Sequence, residues 1–459
     1  MLRTRKGFLK SKNKTHKDDK ALVFSDLAEK LNRFCLHFIP CFKSKTKSSS
    51  VQINTVITSF LVSEKSDCQE LSSLIDDDPY QNVHHFISSS AWSFQAVFDA
   101  IAAYFVKLLS ATELENLSLS IDESGFVKSG KHSAGVAHQY CGQAGKNANS
   151  QVGVFSALVA GTRSAIINAA LFLPAKWIDE KCEASAKAKI PKEKLNFKSK
   201  IDLAYELIED AFTRLEIPVK WINFDAFYGR SSHLLEKLYQ GKRIFVGDIP
   251  SNIKVFLTQP NFEVPPEKSG RGRKPKVAKP SVESISVSQL AQSLQPDEWQ
   301  IITIRKRTKN KPLICPAFKR QVWLHTSSGV LLSLILLIKK DIEGKLHFSL
   351  SNALDKNLEE LAYMQSCRYF IERTFQNGKY CFGMKGYQVR KWQAWHKHMA
   401  LSSLTQLFST EMEIEHRNID GKHIRITPQV FIKIARLVLN YRKITLDDIL
   451  IEIKLCYSQ

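Results

Sequence analysis

From Ile53 to Leu109 the apolar residues recur at threes and fours. Phe86, Ile87, Trp92, Phe94, Val97, Phe98, Ile101 and Phe105 keep that spacing, which predicts a small helical region. The period then shortens to two. Leu117-Ser118-Leu119-Ser120-Ile121 alternates and predicts a strand that ends at Asp122. Gly135 to Cys141, Gln151 to Val159 and Ala165 to Leu173 predict three more strands. Gly142, Gly145 and Asn147 part the first two of these, and Gly161-Thr162-Arg163 marks the next turn, so an antiparallel meander is expected. Lys200 to Leu215 returns to helical spacing. Val219 to Phe224 reads as a short buried strand ending at Asp225, Ser231 as the cap of a helix through Tyr239, and Arg243 to Val246 as one more strand. A meander followed by α-β-α-β predicts a mixed sheet with helices packed on it.

Beyond Pro260 the pattern breaks. Pro265, Pro266, Pro275 and Pro280 stand among glycines and basic residues, and a stretch this long without periodicity is a linker or a functional segment. Strand-like pieces return at Trp299 to Arg305, Val322 to His325, Leu331 to Lys339 and Lys345 to Leu350, and from Leu354 onward the chain is mostly helical.

Composition narrows the partners. The 459 residues carry a formal net charge of +21, which favours nucleic acid or an anionic surface. Basic residues crowd the first 47 positions, which predicts a solvated arm able to touch a phosphate backbone. The longest apolar run, Val330 to Ile338, is about half of the ~20 residues that a membrane span needs. Met1 to Lys20 is basic with no apolar run after it, so no secretory leader is expected. Nine cysteines with no C-x-x-C pair argue against disulfide or zinc frameworks and for a reducing cytosol.

Among 45 acidic residues, context singles out three. Asp122 and Asp225 each close a predicted strand, and neighbouring strand ends in one sheet can bring two carboxylates together. Glu372 lies in a predicted helix that can cross the same edge. Carboxylates held so closely repel, so the arrangement calls for divalent metal. Mg²⁺ suits it, taking oxygen ligands and leaving positions for water and phosphate. Two such ions ~3.5–4 Å apart would clamp the attacking and leaving oxygens of a phosphoryl transfer. Arg368, Glu372 and Lys379 fall within about 40° of one another at ~100° per residue, so they share a helix face. The plain alternative is a surface Arg–Glu pair beside a solvated lysine. Asn377-Gly378 sits within this segment, and a glycine there costs ~1 kcal/mol of helix stability.

Three blocks in order resemble the DDE transposases of bacterial insertion sequences, in the insertion-sequence-4 group and nearest its insertion-sequence-701-like branch. They are Ile121-Asp122-Glu123-Ser124-Gly125 running into Gly135 to Tyr140 and Gln151 to Phe155; Asp225-Ala226-Phe227-Tyr228-Gly229; and Arg368 to Lys379 with Tyr387 to Arg390 and Trp395 to His398. A weaker likeness begins at Tyr80-Gln81, so the resemblance covers most of residues 80 to 410.

The resemblance implies an α/β fold, an RNase H-like catalytic core with a β-rich insertion between the second Asp and the Glu. A helical N-terminal domain and a helical C-terminal tail flank it. It implies Asp122, Asp225 and Glu372 as catalytic and metal-binding residues, two Mg²⁺ ions for which Mn²⁺ can substitute, and Arg368 and Lys379 on phosphates. The partners implied are double-stranded DNA, as terminal inverted repeats and target, and a second copy in a homodimeric complex; no membrane and no small-molecule substrate are expected. The family's helix signature is Y-x2-R-x3-E-x6-K, and here Gln365 stands at the Tyr position.

The layout expected is a basic flexible arm over 1–50, a helical DNA-binding region over 51–112, the first part of the core over 113–250, a basic insertion over 251–350, the Glu helix of the core over 351–410 and a helical tail over 411–459. Gly270-Arg271-Gly272-Arg273-Lys274-Pro275 resembles an AT-hook, which assigns Arg271 and Arg273 to DNA; a flexible basic linker is the other reading. His396 and His398, and His84 and His85, are expected to pack or to lie at the surface rather than to bind metal, and Cys367 and Cys381 to be small core residues rather than nucleophiles. Trp299 and Trp323 are given no role. Two other functions fit the same residues: a catalytically dead descendant kept for DNA binding, and a nuclease of this fold without strand transfer.

Overall fold

The computed structural model describes residues 26–42, 50–63, 80–179, 183–264, 277–305, 312–416, 418–419, 422–423 and 426–439. Arg271 and Arg273 of the AT-hook-like segment lie outside the described residues. The chain forms two units: Ala102–Phe375, and Met1–Ile101 with Gln376–Gln459.

The first is built on one ten-stranded mixed sheet with helices. Its strands are β1 (Leu117–Val127), β2 (Ala137–Cys141), β3 (Lys146–Ala160), β4 (Arg163–Leu171), β5 (Trp221–Phe224), β6 (Phe245–Asp248), β7 (Gln300–Arg305), β8 (Leu313–His325), β9 (Leu331–Lys340) and β10 (Leu346–Ser351). They lie in the order β7-β8-β9-β10-β6-β5-β1-β3, with β2 and β4 both paired to β3. The meander is antiparallel, and β5 and β6 join it in parallel through the helices Lys200–Thr213 and Ser232–Gln240. This order is consistent with an RNase H-like core.

Local chemistry explains the elements. Ser199 and Asp202 form a capping box at the start of Lys200–Thr213. Ser231 accepts from Leu234 N at 3.2 Å at the start of Ser232–Gln240, as its position in the sequence predicts. Leu117, Leu119 and Ile121 are fully buried, and so are Ser118 and Ser120 between them. The alternation therefore marks a central strand covered on both faces rather than a half-solvated one.

Several strand limits differ from expectation: β3 begins at Lys146 rather than Gln151, and β6 runs from Phe245 to Asp248 rather than from Arg243 to Val246. β1 does not end at Asp122. It runs on to Val127 because every residue from Asp122 to Val127 pairs with β3, from Phe155 to Ser150, so pairing continues where apolar alternation stops. β8 begins at Leu313, well before Val322, since its pairing with β7 and β9 carries it across Pro316 and the polar Lys319-Arg320-Gln321. The late strands β7 to β10 extend the core's own sheet, with β10 antiparallel to β6. The helix Leu358–Ser366 packs on this extension. Its Leu358, Leu361, Ala362 and Met364 share a buried cluster with Trp221, Val246, Ile302, Ala317, Ile335 and Leu337.

The second unit is helical. Leu27–Phe38, Ser50–Val62, Tyr80–Ser88, the start of Phe94–Leu108, Trp392–Glu415 and Pro428–Leu439 supply it. The arm expected over 1–50 is not all solvated. Leu27, Leu31, Phe34 and Phe38 recur at helical spacing, are buried, and bring Phe34 to 5.1 Å from the Phe408 ring. Local charge obscured that period. The N-terminal helical region and the C-terminal tail, expected as separate parts, fall in this one unit. His396 and His398 are packed here: His396 stacks on Phe94 at 4.7 Å, and His398 Nε2 donates to the Gly383 carbonyl at 2.8 Å.

Candidate active site

Strand register builds the site. Ile121 pairs with Phe224 across β1 and β5, and Phe224 with Gly247 across β5 and β6. All three strands run in parallel, so the next residue in each is a carboxylate at one level: Asp122, Asp225 and Asp248. Asp225 leaves its strand as the cap of the short helix Ala226–Gly229, its Oδ1 accepting from Phe227 N at 3.0 Å and Tyr228 N at 3.3 Å. Gly229 has no side chain because a Cβ there would lie 1.9 Å from the Asp248 carbonyl oxygen. The aspartate-bearing turn thus packs directly on the neighbouring strand end.

Glu372 reaches the row by a second route. Asn223, fully buried on β5, donates to the Met364 carbonyl at 2.9 Å, and Trp221 Nε1 donates to the same oxygen at 3.3 Å. They join Cys367 N, 3.3 Å away, on a carbonyl in the last turn of the helix Leu358–Ser366 and so tie that helix end to β5. Cys367 and Arg368 make a turn, and the helix Tyr369–Cys381 follows with Glu372 in its first turn, where the helix dipole favours a negative charge. Arg368 links the two routes. Its Nε donates to Asp248 Oδ2 at 3.0 Å and its Nη1 to Glu372 Oε1 at 2.6 Å. Asp248 Oδ1 also accepts from Ser349 Oγ at 2.7 Å and Gln365 Nε2 at 2.8 Å.

Burial first, then the negative charge of Asp225, pushes Asp122 up to about 8; Arg368 opposes this and Glu372 adds to it. Burial and Glu123 likewise raise Asp225, with Arg368 again opposing. Burial disfavours the Arg368 guanidinium, but Asp248, Glu372 and Asp122 hold it charged. Glu123 beside the row is itself satisfied, by Lys200 Nζ at 2.8 Å and by the hydroxyl of buried Tyr228 at 2.9 Å. Lys200 also lies 5.2 Å from the Phe227 ring centroid.

Among the described residues no three His, Cys, Asp or Glu side chains are gathered closely enough to hold a metal ion as they stand. The donor chemistry still fits one. Asp122 and Asp225 offer only oxygen, the preference of Mg²⁺ and Mn²⁺, and both are held above the usual carboxylate range by burial and like charge. A bound divalent cation relieves that repulsion. Glu372 is tied to Arg368 rather than to the aspartates.

The other candidates fall as follows. Arg368 lies in the turn before the helix, half-buried and paired twice, so it is neither a lone phosphate contact nor one half of a simple surface pair. The helix passes through Asn377-Gly378 to Cys381 and includes Lys379. A Cβ at Gly378 would sit 2.9 Å from Met384 Sδ, so close approach accounts for the glycine. Lys379 belongs to the helical unit, Glu372 to the sheet unit. Trp299 lies under the Lys340 ammonium at 4.0 Å, and Trp323 exchanges backbone hydrogen bonds with Phe256 at 2.9 Å; neither touches the row. Sequence reading missed Asp248. Its one signal is the shared grammar of Asn-Phe-Asp and Val-Gly-Asp at the ends of two short strands.

The family described as DDE superfamily endonuclease matches residues 37–311, which include Asp122, Asp225 and Asp248 and stop before Glu372. No curated protein matches the chain.

Proposed function

The chain belongs to the DDE superfamily endonucleases, and we propose that within them it is a transposase of bacterial insertion sequences, of the insertion-sequence-4 group and its insertion-sequence-701-like branch. It cuts DNA at the element's terminal inverted repeats and joins the freed ends to target DNA, working as a homodimer on its substrate. The observation that carries this reading is the register that sets Asp122 and Asp225 side by side, with Glu372 linked through Arg368 to Asp248 in the same row.

Asp122, Asp225 and Glu372 would hold the divalent ions. When bound, Mg²⁺ or Mn²⁺ supplies charge neutralisation at the phosphate and a stronger oxygen nucleophile at neutral pH. The protein's own part is positional. The Asp225 cap bonds fix one carboxylate against the strand end. Asp122 is half-buried, which limits the water that competes around it. Arg368 brings a fixed positive charge to a site where negative charge grows on the phosphoryl oxygens. Lys379, Arg271 and Arg273 complete the proposed DNA contacts, and the surplus of +21 favours the approach of DNA as a whole.

Asp122→Asn, Asp225→Asn and Glu372→Gln keep shape and remove ligand charge. Each is expected to abolish Mg²⁺-dependent cleavage of DNA carrying the element's ends while binding in a gel-shift assay stays within about twofold. Residual cleavage above a few per cent takes that residue out of the site. A parent chain that binds the ends without cutting them supports the inactive-descendant reading, and one that cuts without yielding products joined to target DNA supports a plain nuclease.

A further inference from the structure

Asp248 stands level with Asp122 and Asp225 but is used differently. Both of its carboxylate oxygens are engaged inside the protein. Oδ1 takes the Ser349 hydroxyl and the Gln365 amide, and Oδ2 takes Arg368 Nε. Ser349 is its register partner on β10, so the sheet itself delivers that donor. Gln365 is in turn oriented: its Oε1 accepts from the buried Lys339 ammonium, which leaves Nε2 to face Asp248. Arg368 sits in the turn between two helices and uses two edges of its planar fork, one on Asp248 and one on Glu372.

We propose that Asp248 is a positioning residue for the cleavage chemistry: clamped by Gln365 and Ser349, it anchors Arg368, and through Arg368 it sets where the Glu372 carboxylate lies. The inference rests on the metal-dependent nuclease reading of the site. It also gives Gln365 a function where the related signature carries tyrosine, because this amide bridges Lys339 and Asp248 within the protein instead of facing DNA. A guanidinium shared between two acids holds each less tightly than it would hold one alone. Removing the Asp248 charge therefore turns Arg368 more fully onto Glu372 and its neighbours, where it competes with a divalent cation.

A double-mutant cycle on the full-length chain tests this. Asp248→Asn is expected to slow single-turnover, Mg²⁺-dependent cleavage of element-end DNA by ten- to a hundredfold, with the concentration of DNA giving half-maximal rate unchanged. It is also expected to weaken Mn²⁺ binding several-fold, measured without DNA by the spin-resonance signal of free Mn²⁺. In an Arg368→Gln background the same substitution should change either quantity by less than twofold. Gln365→Leu alters no charge: it removes the amide from Asp248 and, with it, one acceptor of the Lys339 ammonium. It should move both quantities the same way by a smaller factor, and it carries the test if Asp248→Asn does not fold. Losses that add in the Arg368→Gln background would make Asp248 an independent group and overturn the inference, as would a Gln365→Leu protein indistinguishable from the parent. A parent that neither cleaves nor binds Mn²⁺ fails the nuclease reading itself, and this inference falls with it. A parent that does both, with additive variants, fails the inference alone.

Discussion

Asp122 shows how much one side chain reports of its surroundings. Its carboxyl titrates near 8 in the folded, metal-free protein against an ordinary 3.8. Between those values the folded chain keeps a proton that the unfolded chain gives up, so stability is fullest below about 4 and falls as the pH climbs towards 8. Asp122→Asn has no charge to bury. It should flatten that part of the profile and leave the metal-free protein more stable than the parent at pH 8, by urea midpoints measured in chelator at pH 5 and pH 8. Equal pH slopes in parent and variant would place the carboxyl in ordinary solvent. Residues of this kind were only partly legible in the sequence. Asp122 and Asp225 stand out because each follows an apolar strand pattern. Asp248 closes a strand of only four residues, one of them a glycine, and nothing local separates it from the other acids; only the pairing of Phe224 with Gly247 puts it in the row.

At the scale of elements, the strand that carries Asp225 also fixes the helix that leads to Glu372. Asn223 donates to the Met364 carbonyl at 2.9 Å and to the Val246 carbonyl at 3.3 Å from a fully buried position. Asn223→Ala removes one donor each from the Met364 and Val246 carbonyls, the former keeping Trp221 Nε1 and Cys367 N, and opens a small void, so a loss of about 1 kcal/mol in unfolding free energy is expected. The consequence for activity is larger than that figure suggests. The helix end is the lever for Arg368 and Glu372, so kcat should fall at temperatures where the variant is still fully folded, checked by circular dichroism beside the cleavage assay. A variant with lowered stability and parental kcat would show that the turn at Cys367-Arg368 holds its own shape. Periodicity located these elements well, because buried faces repeat at 2 or 3.6 residues. It misplaced the end of β1 and the start of β8, where backbone pairing, not side-chain polarity, keeps the chain extended.

The whole molecule adds charge and division. On the proposed function, a net +21 spread over 459 residues should make backbone neutralisation the dominant part of DNA affinity. Log K should fall with log salt at ~0.9 per phosphate contacted, and a nearly flat dependence in a salt titration would contradict that. The division into a sheet unit and a helical unit was not legible as such. The helical unit draws on both ends of the chain, and periodicity along a sequence carries no information about which distant segments meet. The packed helix Leu27–Phe38 was hidden for a related reason: the lysines and arginines around it dominate any local average, while its buried face depends on a partner ring, Phe408, far along the chain.

The level row of aspartates makes the chemistry a matter of counting. Each strand contributes its acid by ordinal position, so the site is exposed to changes of length in a way that point substitutions do not reveal. Loss of a single codon within Leu117 to Ile121 would carry Glu123 into the place of Asp122, and the row would still hold a carboxylate. The same slip would exchange the faces of Leu119 and Ser120, turning a leucine into the serine's surroundings and the reverse. A chain lacking Ser118 should therefore be inactive for want of a folded sheet, although its acid remains. One residue more or less between Gly130 and Ser133, past the last bonds to Asn149 of β3, should pass unnoticed. Descendants of such a gene would accordingly tolerate drift in the length of that connection and almost none in the three strands that bring their acids to one level.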